Sequence, residues 1–448
     1  MFRVFLALML MSPRFPMGVD IIYNPFSKAS IIFIFIFIVS CAPANNPSSD
    51  NVLIKNYPRE TKESQPIKKL SEKPPQEKLT KTFQTKKILT EIEIILPKLT
   101  NINITKHFIN SFELSIYMKE KNNTVLNINR YLDLRDLENI LSTKAKPGKI
   151  FIGTLGSEAT RVVKKYCNKG ILFFSFTADK SLADECVYLI NFFPEDDLLA
   201  LFNYFPKDSK IALLYPENYY GYNINKIIDP IASKSRSLLI NRASYKEDLT
   251  NARDSIKELG KFELRKYELE RQKKILKNKK DEISKNALKK IQRFETVGDV
   301  DFTHLILPDY SIRLLEIAPL LPFYDVDPNK VQFVGTGVWD DKVFFDEPAL
   351  QGAVFSGIEE SRRKDFFDDY EFIYSEKPIR TATIPHDLVG IVSYFIDQNM
   401  TLGDARNILD SGNIKFDGID GKFFFINNII FRELDILKIH KGKAIKLN

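Results

Sequence analysis

The segment KIFIGTLGSEATRVVKKYCNKGILFFSF, residues 149–176, contains the smallest repeating unit of an α/β fold. Lys149–Gly153 and Ile171–Phe176 are short apolar runs typical of buried strands, and Ser157–Tyr166 between them has helical spacing. A strand, a helix and a second strand in this order predict a right-handed crossover between two parallel strands. The segment therefore predicts a parallel sheet with helices packed on it.

The same alternation continues on both sides of this segment. Around it, the pattern predicts strands at 91–96, 125–128 and 187–192 and helices at 104–118 and 134–142. The alternation then starts again, with helices at 196–205, 222–233 and 312–321 and strands at 210–215, 237–241, 304–307 and 331–335. Two such runs of similar length predict two doubly wound parallel-sheet lobes with a cleft between them.

The first lobe is predicted to comprise residues 87–193 and 352–410, and the second lobe residues 194–351 and 411–448. An insertion in the second lobe, residues 251–297, has an amphipathic pattern that is interrupted near Lys277–Lys280. It predicts an antiparallel pair of helices with a basic outer face. Such a hairpin is either a docking arm or a solvated elaboration packed on the second lobe.

The N-terminus has the features of an export signal. Residues 31–39 form a nine-residue apolar run, which fits a signal peptide, whereas a membrane-spanning helix needs about 20 apolar residues. Residues 38–41, Ile-Val-Ser-Cys, resemble a bacterial lipobox. Residues 1–40 are therefore predicted to be a signal peptide, with Cys41 as the site of lipid attachment. The alternative is a short anchor followed by a chance cysteine.

The segment after the predicted lipid-attachment site is expected to be a disordered linker. Residues 41–86 are rich in Pro, Lys, Glu, Ser and Thr, so they cannot bury enough surface to offset their ordering entropy. Ala42 is not the Asp that retains lipoproteins at the inner membrane in enterobacteria, which favours the outer membrane, facing the periplasm. Translation starts at either Met1 or Met17.

The positive charge of the chain, +7 in total, is concentrated in two segments. Residues 252–297 contain 15 Lys and Arg against 8 Asp and Glu, and residues 52–87 contain 10 against 4, so the rest is mildly acidic. A DNA-binding protein carries its basic residues on a folded recognition element, so we expect no nucleic-acid partner. Four scattered histidines and no Cys-x-x-Cys pair predict no metal site.

No motif for catalysis occurs in the sequence: Gly-x-Ser-x-Gly, Walker A, Gly-x-Gly-x-x-Gly and His-Glu-x-x-His are all absent. Acidic residues occur in pairs, at Asp340-Asp341, Glu359-Glu360 and Asp368-Asp369. Adjacent carboxylates point in different directions, so we expect solvated surface charge at these pairs. His386 is expected to pack on a helix face. We therefore predict neither enzyme activity nor a cofactor.

Several motifs resemble those of one protein family. Gly153–Ser157 lies between a strand and a helix, like the Ile-Gly-Pro corner of type I periplasmic binding proteins. Phe174–Asp179 resembles the turn after the next strand, and Pro216–Gly221 resembles the corner that opens the second lobe. The matching C-terminal positions are Phe367, Tyr370, Pro378, Ala382, Pro385-His386-Asp387, Phe416-Asp417-Gly418, Asp420-Gly421, Phe423, Phe425 and Arg432.

In this order the motifs resemble the penicillin-binding protein activator lipoproteins, which are built on the leucine/isoleucine/valine-binding fold. The resemblance implies a non-catalytic envelope lipoprotein that binds and activates a peptidoglycan synthase or contacts another envelope protein. The alternative on the same fold is a solute-binding protein that delivers an amino acid or another small polar ligand to a transporter. The chain departs from the family at Thr154, which replaces a proline, and at His386, which replaces a tyrosine.

The resemblance also implies candidate ligand-cleft residues. The matching positions are Ser157, Ser175, Thr177 and Tyr220, where hydroxyls and helix N-termini would hold a ligand carboxylate. Alternatively, Ser157 is a helix N-cap, Ser175 and Thr177 are turn residues, and Tyr220 covers the second lobe. Trp339 is expected either to face the cleft or to be a partly buried hinge aromatic.

Cys167 ends a predicted helix and Cys186 precedes the next strand. Neighbouring segments of a sheet can bring two Cα atoms within the range of about 4.4–6.8 Å that a disulfide needs. Such a bond persists in an exported protein. The two cysteines are therefore expected either to form a disulfide or to remain free thiols.

Overall fold

The structure is a computed structural model, and it describes residues 89, 91–98, 103–119, 124–310 and 312–447. The predicted signal peptide at 1–40, the predicted lipid-attachment residue Cys41 and the predicted linker at 41–86 lie outside the described residues. The described body contains two lobes, each with a parallel-dominated sheet and packed helices, which confirms the predicted fold class.

The chain first forms five strands and three helices of the first lobe. The strands are β1 (Glu91–Pro97), β2 (Val125–Tyr131), β3 (Ile150–Leu155), β4 (Leu172–Phe176) and β5 (Val187–Leu189). The helices are α1 (Ile104–Tyr117), α2 (Leu134–Lys144) and α3 (Ser157–Lys164). All five residues of β4 are buried because a central parallel strand is covered on both faces.

The chain then forms the corresponding elements of the second lobe. The strands are β6 (Lys210–Pro216), β7 (Leu238–Tyr245), β8 (His304–Ile306), β9 (Gln332–Gly335) and β10 (Val354–Gly357). The helices are α4 (Pro194–Tyr204), α5 (Tyr219–Lys234), α6 (Ala252–Leu259), α7 (Phe262–Lys277), α8 (Glu282–Ile291) and α9 (Arg313–Phe323).

The C-terminal part of the chain completes both lobes. Its helices are α10 (Ser361–Tyr374), α11 (Ile384–Asp397) and α12 (Leu402–Asp410). Its strands are β11 (Phe416–Gly418), β12 (Gly421–Ile426), β13 (Ile429–Arg432), β14 (Asp435–His440) and β15 (Lys443–Lys446).

The two sheets share one strand order. Five parallel strands lie in the order β2-β1-β3-β4-β5 in the first lobe and β7-β6-β8-β9-β10 in the second. Strands β13, β12 and β11 extend the first sheet beyond β5, and β14 and β15 extend the second beyond β10. In such doubly wound sheets, ligands bind outside the carboxyl ends of the strands, where the order reverses. Those positions are the end of β1 beside β3 and the end of β6 beside β8.

The chain passes between the lobes in three segments, at 190–193, 358–360 and 433–434, and two predicted lobe boundaries are wrong for this reason. Strand β10 belongs to the second sheet, although 352–410 was predicted for the first lobe. Strands β11–β13 belong to the first sheet, although 411–448 was predicted for the second. Pairings such as Val354 with Val334 are long-range, so the local sequence does not reveal them.

The predicted hairpin at 251–297 consists of three helices rather than two. Helix α6 packs on β7 and buries Ile256 and Leu259, so it is part of the second lobe. Helices α7 and α8 pack against each other and are separated by residues 278–281, beside the predicted interruption. We call α7 and α8 together the basic hairpin.

A disulfide joins Cys167 to Cys186, whose Cα atoms are 5.2 Å apart. It connects the turn that follows α3 to the residue before β5, and both cysteines are buried in the core of the first lobe. None of the described helices has both the length and the apolar character needed to cross a membrane.

Candidate functional site

The predicted cleft hydroxyls of the first lobe lie at the carboxyl ends of β3 and β4, where each is hydrogen-bonded to another hydroxyl. The Oγ atom of Ser175 is 2.7 Å from Oγ1 of Thr154 and 2.6 Å from Oγ1 of Thr160, and all three residues are buried. Oγ of Ser157 is 2.9 Å from Oγ1 of Thr177. Ser175 therefore serves the interior of the lobe, and half-buried Ser157 is the more accessible hydroxyl of this group.

The backbone of this corner differs from the Gly-Pro corner of type I periplasmic binding proteins. Thr154 has a left-handed φ of 50°, whereas proline locks φ near −65°. A Cβ on Gly153 would lie 1.9 Å from the carbonyl oxygen of Ile95, so the chain needs glycine there. The N-cap of α3 is Gly156, and the alternative prediction that Ser157 is the N-cap is wrong.

Tyr220, the predicted cleft residue of the second lobe, lies at the start of α5. Its hydroxyl is 2.9 Å from Oγ1 of Thr336, and its ring packs edge-on against Tyr310 with centroids 6.0 Å apart. Burial, followed by the nearby carboxylate of Asp197, raises the pKa of Tyr220 well above its ordinary value. Tyr220 is therefore a neutral phenol that joins the loops after β6, β8 and β9.

Trp339 does not face a cleft. The side chain is fully buried in the core of the second lobe, and its Nε1 donates a hydrogen bond to the carbonyl of Leu307 at 3.0 Å. A Cβ on Gly335 would lie 2.0 Å from the indole, so the glycine at the end of β9 makes room for the tryptophan. Both predicted positions for Trp339 are wrong, because the turn after β9 packs the indole into the core of the second lobe.

An ion-pair cluster connects the two lobes beside the second crossing. Asp340, which follows β9 in the second lobe, accepts hydrogen bonds from Nη1 and Nη2 of Arg363 at 2.6 and 2.7 Å. Arg380 donates to the same carboxylate at 2.6 Å, and both arginines belong to the first lobe. Only 3% of the Asp340 side chain is exposed. The prediction of solvated charge is wrong for Asp340, because its partners come from the other lobe.

The C-terminal motif extends this cluster into the first lobe. Arg380 also approaches Asp420, which is fully buried in the turn between β11 and β12. Arg432, at the end of β13, lies 3.8 Å from Asp387 and donates its backbone N–H to Asp196 at 3.1 Å. Three charged residues of the motif, Asp387, Asp420 and Arg432, therefore lie at the junction of the lobes. We define the junction cluster as Asp196, Asp340, Arg363, Arg380, Asp387, Asp420 and Arg432.

The glycines of this motif allow its close packing. A Cβ on Gly418 would lie 2.1 Å from a carboxylate oxygen of Asp387. Gly421 has a φ of +88°, and a Cβ there would lie 2.6 Å from Ile358, in the second crossing. The Asp-Gly-x-Asp-Gly sequence is thus required by the approach of backbone to buried charge and to a crossing segment.

Burial opposes the charged state of many groups in the junction cluster. It raises the pKa values of Asp196 and Asp387 well above the ordinary range, although Arg432 acts in the opposite direction on both. Burial also lowers the pKa of Arg432 itself. The ionised forms therefore depend on their mutual contacts, and a movement that separated the partners would carry a large desolvation penalty.

His386 packs on a helix face, as the sequence predicts. Its ring lies 5.1 Å from the ring of Phe366, and its Nδ1 is 2.9 Å from Oγ of Ser115. Burial lowers the pKa of His386 to about 4. Within the part of the chain that the structure describes, no three His, Cys, Asp or Glu side chains are grouped so that they could hold a metal ion.

Sequence reasoning missed the three residues that connect the lobes. The sequence predicts a solvated surface position for Asp340, and its patterns indicate no role for Arg363 or Arg380. One signal was available, because Arg362 and Arg363 stand at the start of a helix that is otherwise rich in Asp and Glu. That signal does not identify the partner, which lies 23 residues earlier and in the other lobe.

The comparisons with known proteins bear on the fold. No protein-family model matches the chain, and neither does any curated protein sequence. Among solved structures, a protein assigned as a branched-chain amino acid ABC transporter, from Rhodospirillum rubrum, has a TM-score of 0.59 at 14% identity. The match covers 80% of this chain and 99% of that one.

Two further structures represent different functions on the same fold. The C-domain of LpoA from Haemophilus influenzae, a regulator of PBP1A, has a TM-score of 0.56 at 10% identity and covers 80% of this chain and 100% of that one. A solute-binding protein of an ABC transporter from Rhodopseudomonas palustris BisB5, in complex with 3,4-dihydroxybenzoic acid, has a TM-score of 0.51 at 12% identity, covering 81% and 97%. The chain therefore has the periplasmic binding protein-like fold, shared with binding and regulatory proteins.

Proposed function

We propose that this protein is a non-catalytic lipoprotein of the bacterial envelope whose two-lobed domain binds and activates a peptidoglycan synthase. In this proposal a lipid on Cys41 holds it at the outer membrane, facing the periplasm. The observation that carries the proposal is the buried contact of Asp340 with Arg363 and Arg380 across the junction of the lobes.

A transport receptor opens and closes around its solute. Any opening that moved β9 away from α10 would separate Asp340 from Arg363, leaving charges without their partners at a site where both side chains are at least 94% covered. Breaking such a buried pair costs about 3–5 kcal/mol. The junction thus favours one arrangement of the lobes, which suits a body that presents a constant surface to another protein.

The first-lobe corner supports the same reading. A carboxylate-binding corner needs free hydroxyls and N–H groups at the strand ends. Here the hydroxyl of Ser175 is shared with two threonines, and that of Ser157 with Thr177. The order of the C-terminal motifs, which resembles that of the penicillin-binding protein activators, adds support to the regulatory function, and the fold is shared with the LpoA C-domain, a regulator of PBP1A.

The test is a reconstituted assay with a purified peptidoglycan synthase of the same cell. We expect the full chain to bind the synthase and to raise its rate of glycan polymerisation or crosslinking. The double variant Ser157→Ala/Thr177→Val should stimulate as well as the natural chain, because these hydroxyls do not contact the partner in this proposal. Absence of both binding and stimulation would refute it.

A second candidate function is solute binding, favoured by the hydroxyl and aromatic groups of Ser157 and Tyr220 at the strand ends of opposite lobes. It predicts that an amino acid or another small polar ligand raises the melting temperature of the full chain. It further predicts that Ser157→Ala/Thr177→Val abolishes that rise. A ligand-dependent rise in melting temperature without synthase stimulation would favour this function over the first.

A further inference from the structure

Helix α7 of the basic hairpin has a second apolar face that points away from the protein. Leu264, Tyr267 and Ile275 are 59%, 66% and 50% exposed. At about 100° per residue they fall on one side of the helix, roughly opposite the buried residues Phe262 and Leu269. A helix on the surface of a protein normally buries one apolar face. A second apolar stripe that faces outward therefore indicates a binding partner.

The inner face of α7 is held by a buried arginine. Arg265 donates from Nε to the carbonyl of Gly260 at 2.9 Å, and from Nη1 to Oγ1 of Thr296 at 3.0 Å and the carbonyl of Gly298 at 3.1 Å. These contacts join the start of α7 to the segment that follows α8. These contacts hold α7 in the orientation in which its outer stripe faces the surface.

The outer stripe lies within an excess of positive charge. Residues 262–291 contain 11 Lys and Arg against 5 Asp and Glu, a net charge of +6. Glu268, Glu270 and Glu282 are each paired with a cation of the hairpin. Among the described residues, no carboxylate forms an ion pair with the exposed lysines Lys274, Lys277, Lys279, Lys280, Lys289 and Lys290.

We propose that the basic hairpin binds the surface of an anionic phospholipid bilayer through Leu264, Tyr267 and Ile275. The stripe is narrow and protrudes from the helix surface, so a fluid bilayer can bind it without offering a preformed groove. Exposed lysines attract anionic headgroups, while Leu, Ile and Tyr enter the interface.

The kind of cation favours lipid over an acidic protein. Nine of the 11 basic residues of the hairpin are lysines, and one of the two arginines, Arg265, is buried. Lysine is a point charge that suits a diffuse anionic surface, whereas recognition of protein carboxylates favours the planar guanidinium of arginine. This inference does not rest on the proposed stimulation of a synthase, and either can fail without the other.

The test uses a fluorescent reporter at the stripe of the full chain. The chain has one tryptophan, Trp339, which is fully buried and so gives a constant background. In the variant Tyr267→Trp, vesicles of phosphatidylglycerol and phosphatidylcholine should shift the emission to the blue, and brominated lipid should quench it. Because the signal is local, it reports on the hairpin even if another segment also holds the chain on the vesicle.

The matched control places the reporter on an exposed aromatic of opposite surroundings. Phe372 is 84% exposed on α10, which contains four Asp and Glu against three Lys and Arg and so lacks the positive excess of the basic hairpin; Phe372→Trp should show no blue shift. Adding Lys277→Glu and Lys280→Glu to the Tyr267→Trp variant should abolish the shift, as should vesicles of phosphatidylcholine alone. In the natural chain, anionic vesicles should protect Lys277 and Lys280 from amine acetylation.

Three outcomes would overturn the proposal. They are no shift and no protection with anionic vesicles, an equal shift with neutral vesicles, or a shift that appears only when a protein partner is added. The last result would assign the stripe to protein docking instead of lipid. High salt should weaken the expected binding, because the charges involved are exposed.

Discussion

Asp340 and Arg363 form a two-hydrogen-bond ion pair, at 2.6 and 2.7 Å, across the junction of the two lobes. The pair stands beside the crossing from β10 to α10, and Arg380 completes it from the first lobe. Because separating this buried pair would cost free energy, the pair favours one arrangement of the two lobes. Substitutions at the junction therefore test the burial of this pair directly.

We expect Asp340→Ala to lower the free energy of unfolding by about 3–5 kcal/mol, because it leaves the buried guanidinium of Arg363 and the largely covered guanidinium of Arg380 without their shared carboxylate. Urea denaturation of the full chain measures the change. The control is Asp368→Ala, which removes an exposed ion pair with Lys364 in the same helix as Arg363 and should cost at most about 1 kcal/mol. Equal effects of the two substitutions would show that the junction pair is not buried in solution.

The disulfide between Cys167 and Cys186 should contribute about 3 kcal/mol, because it closes a loop with a sequence separation of 19 in the unfolded chain. Thermal unfolding with and without a thiol reductant measures the contribution. A Cys167→Ala/Cys186→Ala variant should unfold at the lower temperature and ignore the reductant. An unchanged melting temperature of the natural chain after complete reduction would contradict the prediction.

Burial lowers the pKa of His304, which packs against Phe205, to about 4. The unfolded chain takes up this proton near pH 6.5, before the folded chain does, so stability should fall as the pH drops from about 6.5 to about 4. Between about pH 7 and pH 5 the loss attributable to His304 is about 2 kcal/mol. His304→Gln should remove that part of the slope in urea titrations.

The control for this pH dependence is the same substitution at an exposed histidine, His440→Gln, at the end of β14. A His304→Gln variant whose stability falls with pH as steeply as that of the natural chain would rule out the assignment of the slope to His304.

Two glycines should respond to alanine in opposite directions. Gly153→Ala should destabilise the first lobe severely, because the new Cβ would meet the carbonyl oxygen of Ile95 at 1.9 Å and φ is +145°. Gly390→Ala should raise the free energy of unfolding by up to about 1 kcal/mol, since Gly390 lies exposed within α11 and its new Cβ would meet no atom within 4 Å apart from its chain neighbours and the nearby backbone of its own helix. Denaturation midpoints of both variants check the pair, and a tolerated Gly153→Ala would contradict the described corner.

Much of the architecture follows from local patterns. The strands at 91–96 and 210–215 and the helix at 104–118 were predicted within a residue or two, because apolar runs and helical periodicity are properties of neighbouring residues. The order of the motifs resembled that of type I periplasmic binding proteins, and each motif is likewise formed by neighbouring residues. The lobe that received β10 or β13 was not predictable in this way, because parallel pairing joins residues far apart in the chain.

In the candidate site, too, the sequence predicts the local position of a residue but not its partners in space. Ser157, Ser175 and Thr177 lie beside the ends of β3 and β4, but the sequence does not show that Ser157 binds Thr177 or that Ser175 binds two threonines. Tyr220 was likewise placed at its corner without its partner, Thr336. Hydrogen-bond partners depend on rotamers and on approach in space, which the spacing of residues does not encode.

Composition and periodicity alone established an α/β chain with two doubly wound lobes, a basic helical insertion and no catalytic motif, since each of these is a local or additive property. The burial of Asp340 against Arg363, the inward position of Trp339 and the outward stripe of α7 depended on how the lobes and helices pack. Whether a charge is solvated or buried is set by the neighbours that surround it in three dimensions. That is why the contact between the lobes emerged only from the folded structure.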